Sequence, residues 1–198
     1  MKKILSFLSD LALKNPVVFN ASALAPIVVA GISFKNAILL SIAMVIITVP
    51  TILISHLLFE KLPDFYKIPS IFLLSSLMGI VSSIAIIRLD SVAFENLGIY
   101  LPILTVNSII LVNSVSGSRK NLPLVLRNAF VGALCFVLVV FLVSIIREFI
   151  GSGSFLGKPV SGFKIPGALF PFFGYFIVAF IGAGIKTISS IIKRKGDK

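Results

Sequence analysis

The sequence predicts an all-α membrane protein whose six transmembrane helices form two inverted three-helix repeats, the first and fourth helices interrupted. Three observations carry this expectation. Of 198 residues, 58% are apolar and 13% charged, and the mean hydropathy is +1.12, too apolar for a surface facing water. Apolar runs of roughly 18 residues or more, the length that crosses a bilayer, fill most of the chain. Helix breakers and polar side chains recur near mid-depth in the opening stretch of each half. A secreted disulfide scaffold, a soluble oxidoreductase and a disordered tail are excluded. The net charge of +11 comes from basic residues that flank apolar segments, so the expected partners are anionic lipid headgroups of the membrane and not nucleic acid.

Taken in order, residues 1–15 place Ile4, Leu5, Leu8 and Leu11 on one stripe with Lys2, Lys3 and Asp10 elsewhere, as an interfacial amphipathic helix does. Ala23-Leu24-Ala25 imitates a signal-peptide cleavage site. The apolar run continues past it to Gly31, which argues against cleavage. Six stretches then read as spans: 16–33, 36–59, 69–87, 97–115, 124–146 and 166–192. The linkers are Phe34 to Asn36, Glu60 to Lys67, Arg88 to Asn96, Ser116 to Pro123 and the Gly-rich run Gly151 to Ile165. Three spans per half make residues 16–88 and 97–192 inverted repeats, followed by a basic tail at 193–198. With the N-terminus inside, thirteen of the eighteen Lys and Arg residues lie on the inner side, so both termini are expected to be cytoplasmic.

The opening span of each half carries the candidate midplane site. Its residues are Asn20 and Pro26 in the first and Pro102, Asn107 and Ser108 in the fourth, accompanied by the polar residues Ser22, Thr105 and Asn113. Each proline withholds one N–H from the helical ladder, and paired interruptions of this kind mark functional centres; plain kinks with polar side chains gluing neighbours are the alternative. Ser75, Gly79, Ser82, Ser83 and Ile86 in the third span, and Ala179 with Ala183 in the sixth, have the spacing of close helix contacts. Arg147 and Glu148 end the fifth span and are candidates for the outer mouth of an ion path, against ordinary snorkelling and capping. His56, near the inner end of the second span, reads as a satisfied interfacial imidazole, with a proton relay as the alternative. Gly151 to Lys158 is not a phosphate loop, because Pro159 stands where Ser or Thr is required. Cys135 is the only cysteine, so no disulfide forms within the chain and no Cys/His metal cluster is available; it reads as a packing residue. Nothing resembles a nucleophile, base and orienter set, so the chain is at most a non-catalytic component of a larger enzyme.

The run Leu97-Gly98-Ile99-Tyr100-Leu101-Pro102-Ile103-Leu104-Thr105-Val106-Asn107-Ser108, the later Arg147-Glu148-Phe149-Ile150-Gly151-Ser152-Gly153 with Phe155-Leu156-Gly157, and the opening Asn15-Pro16 with Leu24-Ala25-Pro26 resemble the Rnf/Nqr integral membrane subunits. Within that family the likeness is to the RnfE type of the Rnf complexes and the NqrD type of the sodium-pumping NADH:quinone reductase, over nearly the whole chain. The resemblance implies a six-helix inverted-repeat protein of a prokaryotic inner membrane, paired with an oppositely oriented homologous subunit. The complex it implies couples electron transfer among NADH, ferredoxin or quinone to sodium or proton movement, with flavins and iron–sulfur clusters on partner subunits. In the family each half supplies a cysteine to an iron–sulfur cluster at the midplane. Those positions fall at Ala25 and Ser108 here, and neither side chain offers a thiolate, so no cofactor is expected to be bound by this chain. Three outcomes follow: a structural partner in a complex whose electron path runs elsewhere, an ion or solute passage without redox chemistry, or a divergent paralogue. A small-solute transporter component of the vitamin-uptake type, also six-span and basic, is the competing class, and a purely structural assembly protein is a third.

Overall fold

The computed structural model describes residues 15–59, 62–117, 121–156, 158–160 and 164–196. The amphipathic segment expected at 1–15 lies outside them except for Asn15, as do Gly157 and the last two residues of the basic tail. The chain is mostly helical. Its helices are α1 (Pro16–Asn20), α2 (Leu24–Ala30), α3 (Phe34–Phe59), α4 (Asp64–Leu89), α5 (Ser91–Leu97), α6 (Tyr100–Ile103), α7 (Ser108–Gly117), α8 (Leu122–Arg147) and α9 (Pro171–Gly196). A wide π turn at Glu148–Ser152, a two-residue hairpin pairing β1 (Ser154–Phe155) with β2 (Lys158–Pro159), and a 3-10 turn at Pro166–Leu169 link α8 to α9.

Among the described residues three helices are long and apolar enough to cross a membrane: Phe34–Leu58, Phe65–Leu89 and Leu122–Ser152. The pair Ser91–Leu97 and Tyr100–Val115, bent by 69°, passes the same test only when taken together, as a broken span or a re-entrant loop, so the described helices give three crossings, or four with this pair, where the sequence predicts six. At about 1.5 Å per residue, a 26-residue rod such as α3 or α8 exceeds the roughly 30 Å hydrocarbon core. α3 packs along both α8 and α4, and its apolar contacts form the core with Ile27, Val28, Leu101, Leu104, Phe136 and Val140. Pro50 sits inside α3 and Pro69 inside α4, each withholding one N–H from the helical ladder without ending its helix.

Two expectations about boundaries change. The stretch read as a linker from Arg88 to Asn96 is largely the helix α5. Asp90 begins it: its Oδ1 accepts from the Ala93 N–H at 2.9 Å, an N-cap that lets a new helix start one residue after α4 ends. Lys35 pairs with the same carboxylate. That ammonium, helped by the Ala93 N–H, holds the Asp90 carboxyl below the usual carboxylate range.

The stretch 16–33 is also no continuous rod. Asn15 Nδ2 donates to the carbonyl of Cys135, Ser144 Oγ to that of Gly31, and Arg147 Nη1 to that of Val28. α1 and α2 therefore run parallel to α8, but only from its middle to its end, twelve residues or about 18 Å. The chain is shortened because Ala21 and Ala23 take left-handed backbone angles, φ 52° and 54°, and fold the segment at Ser22. α9 runs the opposite way, since Gly174 packs on Val28 and Gly182 on Val18. These two glycines make the close approach in the last helix. The pair that spacing suggested, Ala179 and Ala183, is exposed to the surroundings of the helix.

Candidate functional site: the meeting of two interrupted helices

The first interruption is built by local capping. Asn15 Oδ1 accepts from the N–H groups of Val17 and Val18, and Pro16 follows at the first helical position, where its missing N–H is harmless. α1 ends after five residues at Ala21, in the left-handed region, and α2 starts after Ala23, also left-handed. Such a conformation costs alanine about 1–2 kcal/mol, so the surrounding packing must hold both residues there. Pro26 is the third residue of α2 and buried, inside a first turn whose N–H groups have no helical acceptor anyway. The helix is thus broken just before the proline.

The fourth stretch repeats the device. Gly98 (φ 47°) separates α5 from α6, and Pro102 is the third residue of α6. The chain then turns through Leu104 to Asn107 before α7 begins. Side chains satisfy the backbone of that turn. Thr105 Oγ1 donates to the Pro102 carbonyl at 2.7 Å, and Ser75 Oγ of α4 donates to the Thr105 carbonyl. Asn107 Oδ1 accepts from the Ile110 N–H at 3.0 Å, which caps α7, while its Nδ2 donates to the Leu104 carbonyl and lies 3.9 Å from Met44 Sδ of α3. Gly79 leaves room for this turn, because a Cβ there would strike Thr105 Cγ2. Ser75, Gly79, Ser82 and Ile86 are all buried, the contact face their spacing suggested.

The two interruptions touch. Ser108 Oγ, on the first residue of α7, donates to Ser22 Oγ, in the fold between α1 and α2, at 2.6 Å. Of the candidate midplane residues, the structure brings Asn107 and Ser108 to this junction. Ala25 is half-buried in the first turn of α2, Asn20 is exposed at the end of α1, and Pro102 is exposed on α6. Ser22 and Thr105, 3% and 7% exposed, join the junction although they rank only as accompanying polar residues by sequence. Asn113 Nδ2 instead donates to the carbonyl of Ile109 one turn back. The donors gathered here are hydroxyls, amides and backbone groups. They suit neutral hydrogen-bonding chemistry and lack the thiolates that iron in a cluster requires: Ala25 carries no donor atom, and the Ser108 hydroxyl is engaged with Ser22.

Arg147 and Glu148 lie at the far end of α8. Arg147 is fully buried, and its guanidinium donates to the carbonyls of Val28, Ala168 and Leu169, joining α2 and the 3-10 turn to α8. Glu148 is 4% exposed and its Oε2 accepts from the Phe34 N–H at 2.7 Å, so it caps α3 from 114 residues away. The fork of Arg147 suits several carbonyls at once, and a carboxylate at a helix start meets the positive end of its dipole. The pair acts as a clasp of four elements. His56 is in the last turn of α3, and its Nδ1 has no hydrogen-bond partner among the described residues, unlike the satisfied imidazole expected. Cys135 is buried in the middle of α8.

A family model described as "Rnf-Nqr subunit, membrane protein" matches residues 3–187. Two curated proteins are similar to the chain, the E components of the ion-translocating oxidoreductase complex in Aliivibrio fischeri strains MJ11 and ATCC 700601 / ES114. Each is 28% identical over 146 residues, 71% of this chain and 62% of the relative. The match thus spans about three fifths of the length of these relatives.

Proposed function

The chain belongs to the Rnf-Nqr family of membrane subunits, and from that premise we propose that it is a membrane component of an ion-translocating electron-transport complex, without an iron–sulfur cluster of its own. The observation that carries the reading is the contact of Ser108 with Ser22, which joins the interruptions of the first and fourth stretches at one point. In this reading the fold has six crossings in two inverted halves and both termini are cytoplasmic. The matched placement of Pro26 and Pro102, each third in a short helix that follows a break, supports the repeat. An oppositely oriented homologous subunit pairs with this chain within the same membrane, and flavin-bearing subunits complete the electron path. Because Ala25 and Ser108 stand where the family places cysteines, this chain's share of the midplane is a scaffold held by hydroxyl and amide contacts.

Capture of the tagged chain from native membranes tests this. The homologous membrane protein and flavin-bearing subunits are expected to accompany it; recovery of the chain alone would contradict the reading. Iron and labile-sulfide analysis of the isolated chain is expected to find none, and a stoichiometric cluster would contradict the scaffold role.

A further inference from the structure

A groove of about 420 Å³ runs along the outer surface between α3 and α8, lined by Val45, Phe130, Val131, Leu134 and Val137, with Arg127 at one end. Phe130 and Leu134 are 56% and 41% exposed, so nothing among the described residues fills it. From Arg127 to Val137 is ten residues of α8, about 15 Å. That is half of the roughly 30 Å hydrocarbon core, the depth of one leaflet. Arg127 has no acidic partner among the described residues, whereas Lys35, an exposed cation beside another cavity, is held by Asp90. A second apolar groove, between α1 and α9, ends on Lys186. Since α9 runs antiparallel to α8, Lys186 and Arg127 both lie toward the membrane face away from Arg147.

We propose that the α3–α8 groove is a binding site for an anionic phospholipid, with one acyl chain laid along Val131, Leu134 and Val137 and the phosphate paired with Arg127. An acyl chain matches both the length and the wholly apolar lining, and the unpaired guanidinium supplies the fork that a phosphodiester accepts. Arg119 and Lys120 precede α8 in the sequence, and cations next to a span attract the same headgroups.

Native mass spectrometry of the full chain, or of the complex it is captured with, in detergent containing phosphatidylglycerol or phosphatidylcholine is the test. The wild type is expected to retain at least about tenfold more phosphatidylglycerol than phosphatidylcholine adduct, the difference that one charge-assisted pair supplies. Arg127→Gln is expected to abolish that preference, and Val131→Trp, which fills the groove, to remove the adduct of either lipid. Lys35→Gln, which removes a charge remote from the groove, serves as a charge-matched control expected to leave the lipid preference unchanged. Equal retention of both lipids by the wild type, unchanged preference in Arg127→Gln, or competition by inorganic phosphate without loss of acyl-chain contact would overturn the proposal. So would loss of a co-purifying protein in Val131→Trp with lipid adducts intact, since the occupant would then be a partner's helix. Arg127→Gln is a surface change and keeps the test informative even where Val131→Trp does not fold.

Discussion

The junction at Ser22 and Ser108 and the clasp at Arg147 and Glu148 solve the same problem with opposite chemistry. Both regions hold backbone that has left its helical ladder inside a chain whose surroundings are apolar, where an unmet N–H or carbonyl costs several kcal/mol. At the junction the partners are neutral and mostly local: Thr105 to Pro102, Asn107 to Leu104 and Ile110, each within three residues. At the clasp they are charged and remote, with Arg147 reaching Val28 and Glu148 reaching Phe34 across more than a hundred residues of sequence. A local neutral device fixes the shape of one turn; a remote charged one fixes the position of whole helices against each other.

Removing the remote device is therefore expected to cost most. Arg147→Ala orphans two buried carbonyls and a half-buried third, and a loss of about 3–5 kcal/mol is expected, a fall in the thermal midpoint on the order of 10 °C. Arg147→Lys should recover only part of it, because a point charge cannot serve three carbonyls as a fork does. Equal stability of Arg147→Ala and wild type in detergent melts would remove the clasp from the account.

At the junction the effect is steric and smaller. Gly79→Ala is expected to destabilise by about 1–3 kcal/mol, since the added methyl meets Thr105 Cγ2. Thr105→Ser removes that methyl while keeping the hydroxyl bonded to Pro102, so the double variant should regain most of the loss. Additive losses in the double variant would mean that α4 does not pack on this turn as described.

The smallest effect belongs to Asp90, which combines both kinds of partner, a near N–H and the distant Lys35. Its carboxyl is held below the ordinary value of about 3.9, so its contribution is present above that pH and fades as pH falls through the lowered value. Asp90→Asn is expected to melt slightly lower than wild type at about pH 7, the gap closing below about pH 4. A gap that persists in acid would show that the charge is not what holds α5 in place.

The parts legible in the sequence were those governed by length and composition. The rods α3, α4 and α8 follow from uninterrupted apolar runs, and the interruptions lie in the stretches where Pro26 and Pro102 drew attention. Ala21 and Ala23 were not legible as the fold point, because alanine favours a helix and takes a left-handed angle only where tertiary packing imposes it. The helix α5 was hidden by its brevity, although Asp90 three residues before Ala93 is a cap signal that can be read. The role of Glu148 could not be read at all, since its partner Phe34 is distant in sequence and is met through a backbone atom that nearly any residue would carry.

Cross-linking tests the central claim most directly. In a Cys135→Ser background, with Ser22→Cys and Ser108→Cys introduced together, the two side chains lie where hydroxyls now hydrogen-bond at 2.6 Å, close enough for a disulfide. Mild oxidation in native membranes is expected to join residues 22 and 108 within one chain, read as a shift of the linked peptides by mass spectrometry. Free thiols at both positions after that oxidation, with each single variant still open to alkylation, would show that the two interruptions do not meet.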